Sequence, residues 1–415
     1  MNVLVFNCGS SSLKYKLLAM PDGQELAGGE AQRVGPPTAK PPVFIHRKDG
    51  NEERREVPMP DHGVAFEQVM TVLSSEKGLG VDVVGHRVVH GAAVFSDHAV
   101  VNDQVLADLE QTKALAPLHN PPAIALVEAC RQRYPELSQV LVFDTGYHAT
   151  IPEHARTYAL PATLRQELGI RKYGFHGTSH KFVVGEAARF LGKPLDSLNA
   201  VSCHLGSGGA SLCAVVGGRS VDNTMGHSPL QGLVMSTRCG DLDPAVVMRL
   251  LAGQAGNPAP VEKLLNKTSG VLGLSGSTAD IRDVAASLTQ AQQQPDTMLR
   301  AWEIYIWRVR KYLGAYLTVV ASRAGRRADA VVFTDTIGET MPLARWAICS
   351  DMEALGLQID SARNAAGKEL PADVATQTSP VRILAIKTNE ELAIAKTSYE
   401  VMAGKNEQAQ QGGAA

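Results

Sequence analysis

Two short stretches of small and polar residues, 7–12 (Asn-Cys-Gly-Ser-Ser-Ser) and 206–211 (Gly-Ser-Gly-Gly-Ala-Ser), each sit between two strand-like runs. Turns of this composition expose backbone N–H groups with few side chains in the way, which is what phosphate oxygens need. The first adds three hydroxyls and Lys14. Serine–glycine turns are commonly only turns, so the neighbouring chemistry has to decide. Arg87 lies in Gly85-His86-Arg87-Val88-Val89-His90-Gly91, and Arg238 in Thr237-Arg238-Cys239-Gly240-Asp241. The stretch 173–180 carries His176 and His180, and His204 precedes the second turn. Asp144 ends the apolar run Val140–Phe143, where a Mg²⁺-linked acid belongs in phosphoryl transfer because that metal needs hard oxygen ligands. Glu390 and Glu391 stand just before a C-terminal helical stretch. Phosphate cradles, two arginines, imidazoles and an acid at a strand end together fit phosphoryl transfer.

Other chemistries fit less well. There is no GxxxxGK[ST] and hence no P-loop, and the second turn lacks the third glycine of a dinucleotide fingerprint. His176 and His180 have the helical spacing of zinc ligands, but no glutamate follows the first as in HExxH. Hydrogen-bonded structural roles are the simpler expectation for His86, His90 and His180. The six cysteines form no CxxC pair and are expected to be free thiols in a reducing cytoplasm.

The elements that must hold these groups follow from the apolar pattern. Val3–Phe6 and Leu13–Leu18 flank the first turn as strands, and Asn199–Leu205 and Leu212–Val216 flank the second. The likeness of the two units, about 200 residues apart, predicts an internal repeat and two similar lobes. Val81–Val89, Val140–Phe143 and Ala330–Thr334 read as buried strands. Residues 33–62 read as exposed hairpins and loops. Helices are expected around 103–116 and 121–133, and over 297–323, where Trp302, Ile306, Val309, Leu313 and Leu317 share one face. Residues 391–402 read as a terminal helix packing back on the first lobe, and 403–415 as a disordered tail. The expected division is 1–148 for the first lobe and 149–390 for the second.

The chain has 415 residues and a formal net charge of −2, with 44% hydrophobic and 20% charged residues. These values describe a globular chain large enough for two or three domains, with no global basic field for nucleic acid or anionic lipid. No apolar run approaches the roughly 20 residues of a membrane span, and the N-terminus has no signal-peptide pattern.

Taken together, the stretches 7–15, Gly85–Gly91, Leu115–Pro122, Lys172–Lys181, Gly232–Pro244, Lys267–Gly273 and Asn389–Ala395 resemble the acetate kinase family, over nearly the whole chain. That family belongs to the sugar-kinase, actin and chaperone-ATPase superfamily. The resemblance implies an α/β fold of two ribonuclease-H-like lobes around a central cleft, a homodimer, ATP/ADP as co-substrate, Mg²⁺ (or Mn²⁺) and acetate. It implies that Ser10, Ser12 and Lys14 line the phosphate side of the first lobe. Arg87 and Arg238 would grip the carboxylate and the phosphoryl group, and His176 would hydrogen-bond that group. Asp144, Glu390 and Asn7 would position the metal. Val89, Leu118, Phe175 and Pro229 would form the methyl pocket, with propionate a poorer substrate rather than an excluded one. His204, Leu205, Gly206, Ser207, Gly208, Asp280, Ile281, Arg282, Thr336, Ile337 and Gly338 would bind the nucleotide and its phosphates. Arg87, Arg238, His176 and Asp144 would then have to meet around one phosphorus.

The chain departs from the family pattern in its nucleotide half. Ser207 stands where the family has asparagine, and His227, Ser228 and Gln231 where it has phenylalanine, threonine and glutamate. Ile281 replaces a phenylalanine. Asp335, Thr336 and Thr340 replace alanine, glycine and asparagine in the adenosine loop. A phosphoryl donor other than ATP, such as another nucleotide or pyrophosphate, therefore stays open at this level. So do a catalytically weakened acyl-phosphate-binding protein and an acyl-phosphate phosphatase.

Overall fold

The computed structural model describes residues 1–9, 11–36, 39–116, 120–290 and 296–412. The chain divides into two compact units, Met1–Tyr147 with Asn389–Ala415, and His148–Thr388.

The first unit is built on a sheet of β1 (Asn2–Cys8), β2 (Ser12–Ala19), β3 (Gln24–Gln32), β4 (Val43–Lys48), β5 (Asn51–Glu56), β6 (Val83–Val88), β7 (His98–Val100) and β8 (Ser138–Phe143). Their order is β5-β4-β3-β2-β1-β6-β8-β7. β1, β6 and β8 run parallel, while β1–β2, β2–β3 and β7–β8 are antiparallel. β1 is apolar almost throughout because both faces are covered. Leu4, Phe6 and Cys8 join a core with Phe66, Val69 and Leu73 of the helix His62–Ser75 and Leu126 of the helix Asn120–Arg133. Val3 and Val5 point the other way, into a cluster with Val140, Val142, Ile394 and Ala395. The last two belong to the terminal helix Glu390–Gly412. That helix runs ten residues past the expected end at 402, through a stretch rich in the helix formers alanine, glutamine, glutamate and lysine. The backbone at 403–412 is thus helical rather than a disordered tail.

The second unit carries β9 (Ala200–Leu205), β10 (Ala210–Val216), β11 (Arg219–Asn223), β12 (Ala330–Thr334), β13 (Ala372–Asp373) and β14 (Arg382–Ala385), ordered β11-β10-β9-β12-β14-β13. Its pairing repeats that of β3-β2-β1-β6-β8-β7 in the first sheet, which has β4 and β5 in addition. An antiparallel meander (β9–β10–β11) is extended beside its first strand by β12 and then β14, both parallel, and by an antiparallel edge (β13). The repeat expected from the two turns is real at the level of topology. The helix Gly177–Phe190 meets the sheet on the side of Ser202 and His204. The helix Asp296–Ala324 also packs on β9 and β10, burying Ile306, Val309, Leu313 and Leu317. Trp302 from the same expected stripe is only half-buried, because the buried face is centred on Ala301, Tyr305 and Val309 instead.

Among the described residues no helix is long and apolar enough to cross a membrane. All six cysteines are free.

Candidate active site

Parallel strands deliver their carboxyl ends to one edge of a sheet, and ligands of open α/β sheets bind there. In the first unit the register decides who arrives. Phe6 pairs with His86, which sets Asn7 beside Arg87, and Val88 pairs with Phe143, which sets Asp144 one residue beyond. Asn7 is directly opposite Lys14 across β1 and β2.

Arg87 is the hub of this edge. Its Nε donates to Asp144 Oδ1 at 3.2 Å and Oδ2 at 3.1 Å, and Nη2 donates to Oδ2 at 2.6 Å. Nη1 donates to Asn7 Oδ1 at 3.1 Å, and Glu390 Oε2 lies 3.7 Å from Nε. The Asp144 side chain is 2% exposed and that of Arg87 20%. Burial alone would weaken the guanidinium charge, but Asp144 and then Glu390 more than reverse this and hold it above its ordinary value. The fork-to-carboxylate geometry fixes the plane of the guanidinium.

In the first turn, Gly9 N donates to Ser12 O at 2.8 Å. The second turn closes identically, with Gly206 N donating to Gly209 O at 3.0 Å. His62, whose Nε2 lies 2.9 Å from Gly9 O, braces the first turn, and burial lowers its pKa. Nothing in the sequence marked it. Ser10 and Leu118 lie outside the described residues. Val89 is half-buried just after β6.

The second unit holds a different set at its corresponding edge. His176 caps the helix Gly177–Phe190 with a left-handed backbone, φ +57°, an uncommon conformation for a non-glycine residue and one that accumulates at functional sites. Its Nδ1 lies 2.9 Å from Ser211 Oγ, and the same hydroxyl lies 2.8 Å from His180 Nε2. One hydroxyl proton serves one imidazole, so Ser211 donates to one ring and accepts from the other. His180 Nδ1 is 2.8 Å from Ser202 Oγ. Burial pushes the His180 pKa well below its ordinary value and keeps the ring neutral. The ring of His204 stacks on His176 at 4.2 Å between centroids. His204 Nδ1 lies 2.9 Å from Ser179 Oγ, and Nε2 lies 2.9 Å from Asp335 Oδ2.

Arg238 reaches this edge from a loop. Nη1 donates to Pro229 O at 2.7 Å and Nη2 to Gly208 O at 3.0 Å. A Cβ on Gly209 would stand 2.6 Å from Arg238 Nη2 and 3.3 Å from His176 Nε2, so glycine is what lets guanidinium, imidazole and turn come together. Burial lowers the Arg238 pKa to about 10, which leaves it cationic at neutral pH. Ser207 and Gly208 are exposed, and Ser236 Oγ donates to Ser207 O.

The remaining residues expected to contact substrate or nucleotide belong to the second unit. Phe175 is buried in the second, its carbonyl within 2.9 Å of His148 Nε2, and Pro229 is half-buried beside Arg238. Asp280 and Arg282 bond each other (Nη2 to Oδ2, 2.6 Å) at the start of the helix Ile281–Gln290, with Ile281 buried. Ile337 and Gly338 are buried, and Thr336 is half-buried. His176 and His180 are both hydrogen-bonded to serine hydroxyls, His176 to Ser211 and His180 to Ser202 and Ser211. His86 is likewise structural. It stacks on Phe6, bonds Gln139, and burial lowers its pKa to about 4. His90 Nδ1 accepts from Ala92 N at 2.9 Å, and its backbone is tied to Asn120. Sequence reasoning missed Ser179, Ser202, Ser211 and Glu339. The first three are buried hydroxyls beside histidines, and Ser211 stands opposite His204 in the strand register, so a polar residue inside an apolar strand was the available signal.

Two matching small-residue turns, an arginine–carboxylate hub and a histidine cluster, on two topologically matched sheets, fit a phosphotransferase with a two-domain, actin/sugar-kinase-like fold. The chain matches the acetokinase family model over residues 2–396, and it belongs to that family. It is 45% identical to the acetate kinase of Alkaliphilus metalliredigens, across 97% of this chain and 100% of that one. The crystal structure of Porphyromonas gingivalis acetate kinase superposes with a TM-score of 0.88 at 37% identity, covering 97% of this chain and 99% of that one. A propionate kinase from Francisella tularensis superposes with a TM-score of 0.87 at 36% identity, covering 96% and 99%. The chain is an enzyme that acts as a kinase on acetate, and its family implies a nucleotide co-substrate and a divalent metal.

Proposed function

We propose that the chain transfers the γ-phosphoryl group of ATP directly and reversibly to acetate, giving acetyl phosphate and ADP. An acetate oxygen attacks the γ-phosphorus in line as the bond to the β–γ bridging oxygen breaks, and that oxygen leaves with the electron pair on ADP. Acetate is already ionised near neutral pH, so no general base is needed. Positioning and neutralising charge are then the protein's main tasks. The Arg87–Asp144–Asn7–Glu390 constellation at the carboxyl edge of the first sheet is the observation that best supports this reading. In it Arg87, held flat by Asp144, binds the carboxylate and the acyl phosphate. Arg238 and His176 stabilise the transferring group, with His176 oriented by Ser211. The turn 206–209 takes the donor phosphates, and Ser12 and Lys14 line the first turn. Val89, Phe175 and Pro229 contact the methyl group.

Mg²⁺ is the metal assigned. Asn7, Asp144 and Glu390 offer only hard oxygens, and two carboxylates suit an ion that keeps waters and substrate phosphates as its other ligands. When bound, it supplies positive charge to the phosphate oxygens. Acetyl phosphate formation from ATP and acetate, trapped as the hydroxamate, tests the function. Product is expected with Mg²⁺ and none after chelation, with recovery on re-addition. Phosphate release from acetyl phosphate without ADP would point to the phosphatase instead.

The reading extends to a homodimer formed through the second unit. Trp307 is 71% exposed and Met248 66%. A hollow of about 600 Å³ runs along Trp302, Ile306 and Trp307 and shares Ile304 and Arg308 with a second one reaching Leu242 and Leu264. Exposed large apolar side chains beside such hollows, rimmed by Glu303, Arg308 and Arg310, suit a protein contact. Trp307→Glu is expected to halve the mass measured by light scattering, and a wild-type monomer would end the proposal. Free cysteines throughout suit a reducing compartment, and the cytoplasm is the location assigned.

A further inference from the structure

Asp335 stands where the charge balance of a donor-phosphate site is most sensitive. It follows Thr334, which is in register with His204 across the parallel pair β12–β9, so its side chain is delivered to the imidazole. Its backbone is left-handed, φ +61°, a conformation aspartate tolerates better than most non-glycine residues. Its Oδ2 lies 2.9 Å from His204 Nε2. Its Oδ1 accepts from Thr336 N at 2.6 Å and from Thr336 Oγ1 at 2.9 Å. The carboxylate also lies under the turn 206–209, since a Cβ on Gly206 would stand 2.4 Å from Oδ2. Glu339 Oε1 accepts from Asp335 N at 2.8 Å and from Thr388 N at 2.9 Å, which fixes the backbone that aims it.

These bonds are those an incoming phosphate oxygen would want. An imidazole N–H, a backbone N–H and a hydroxyl converge on one anion, and that anion is part of the chain. We propose that Asp335 acts as a built-in competitor for the donor phosphate, occupying His204 and Thr336 and repelling polyphosphate from the turn, and so sets the affinity and choice of phosphoryl donor. This rests on the assignment of the turn 206–209 to the donor. Burial by itself would raise the Asp335 pKa, but His204 and then Thr336 hold it well below the usual carboxylate range, so the negative charge persists at every working pH. A hydrogen bond to a charged group is worth enough for the competition to register as roughly a 10- to 100-fold change in donor affinity.

The test uses the full-length chain with Asp335→Asn, which keeps the shape and most hydrogen bonds, and Asp335→Ala, which removes the competitor. KM for ATP, KM for acetate and ADP affinity by calorimetry are measured for each, with GTP and pyrophosphate as further donors. ATP KM and ADP Kd are expected to fall at least tenfold in Asp335→Ala and by less in Asp335→Asn, with acetate KM unchanged. Folded variants whose ADP Kd is unchanged or weaker would overturn the proposal. Wild-type protein that forms acetyl phosphate from none of the donors would instead overturn the kinase reading, and the ADP Kd comparison would still judge Asp335.

Discussion

Arg238→Ala is expected to lower kcat for acetyl phosphate formation by about 10³-fold or more while leaving the fold intact. The magnitude follows from the charge that a transferring phosphoryl group presents, which a single positioned guanidinium stabilises by that order. The separation of activity from stability follows from this site. Among the described residues the partners of Arg238 are two backbone carbonyls, Pro229 O and Gly208 O, and no carboxylate neutralises it. Burial has already lowered its pKa to about 10, which is the signature of a cation held at a cost. Deleting such a charge removes that cost but leaves Pro229 O and Gly208 O, the second on an exposed turn residue, without this donor, two small effects of opposite sign. The melting temperature should therefore stay within a few degrees of wild type. Arg238→Lys is expected to recover little activity, because an ammonium cannot bond both carbonyls and still present a planar fork to phosphate. Steady-state kinetics with calorimetric melting checks both halves. A kcat within tenfold of wild type in the alanine variant would remove Arg238 from the transfer step.

Asp144→Asn should behave in the opposite way on stability. Asparagine keeps the shape and can still accept from Arg87, but the charge that balances the guanidinium is gone. Breaking a buried pair from one side costs about 3–5 kcal/mol. Arg87 keeps 20% exposure, so the low end, about 3 kcal/mol, is the appropriate figure. At roughly 2–4 °C per kcal/mol for a unit of this size, the first unit should melt about 6–12 °C earlier. Activity should fall by about 10²–10³-fold, since the plane of Arg87 and one metal oxygen are both disturbed. Raising Mg²⁺ should recover part of the loss if Asp144 holds the metal and none if it only orients Arg87. An unchanged melting temperature would show that Asn7 and Glu390 suffice to balance the arginine.

The resemblance carried by the turns, Arg87, Arg238 and Asp144 made the family and fold class legible, and strand positions came from short apolar runs. The strand expected with its observed bounds, Ala330–Thr334, is buried on both sides, so its composition is nearly free of polar interruption. The terminal helix was read too short because glutamine- and alanine-rich sequence resembles tail as much as helix when no apolar face marks it.

The sequence by itself determined which chemical groups were available and that a small-residue turn precedes each meander's second strand. It also showed Asp335 and Thr336 as departures, without saying what they do. Only the tertiary structure decided who bonds whom. A parallel register sets His204 level with Thr334 and Phe6 level with His86, and a slip of one residue would reverse the face of every side chain involved. The His204–Asp335 contact and the Arg87 hub are consequences of that register, and the Ser211 bridge of docking the helix Gly177–Phe190 on the antiparallel pair β9–β10. They depend on contacts between elements apart in sequence, and composition and local periodicity carry no information about those.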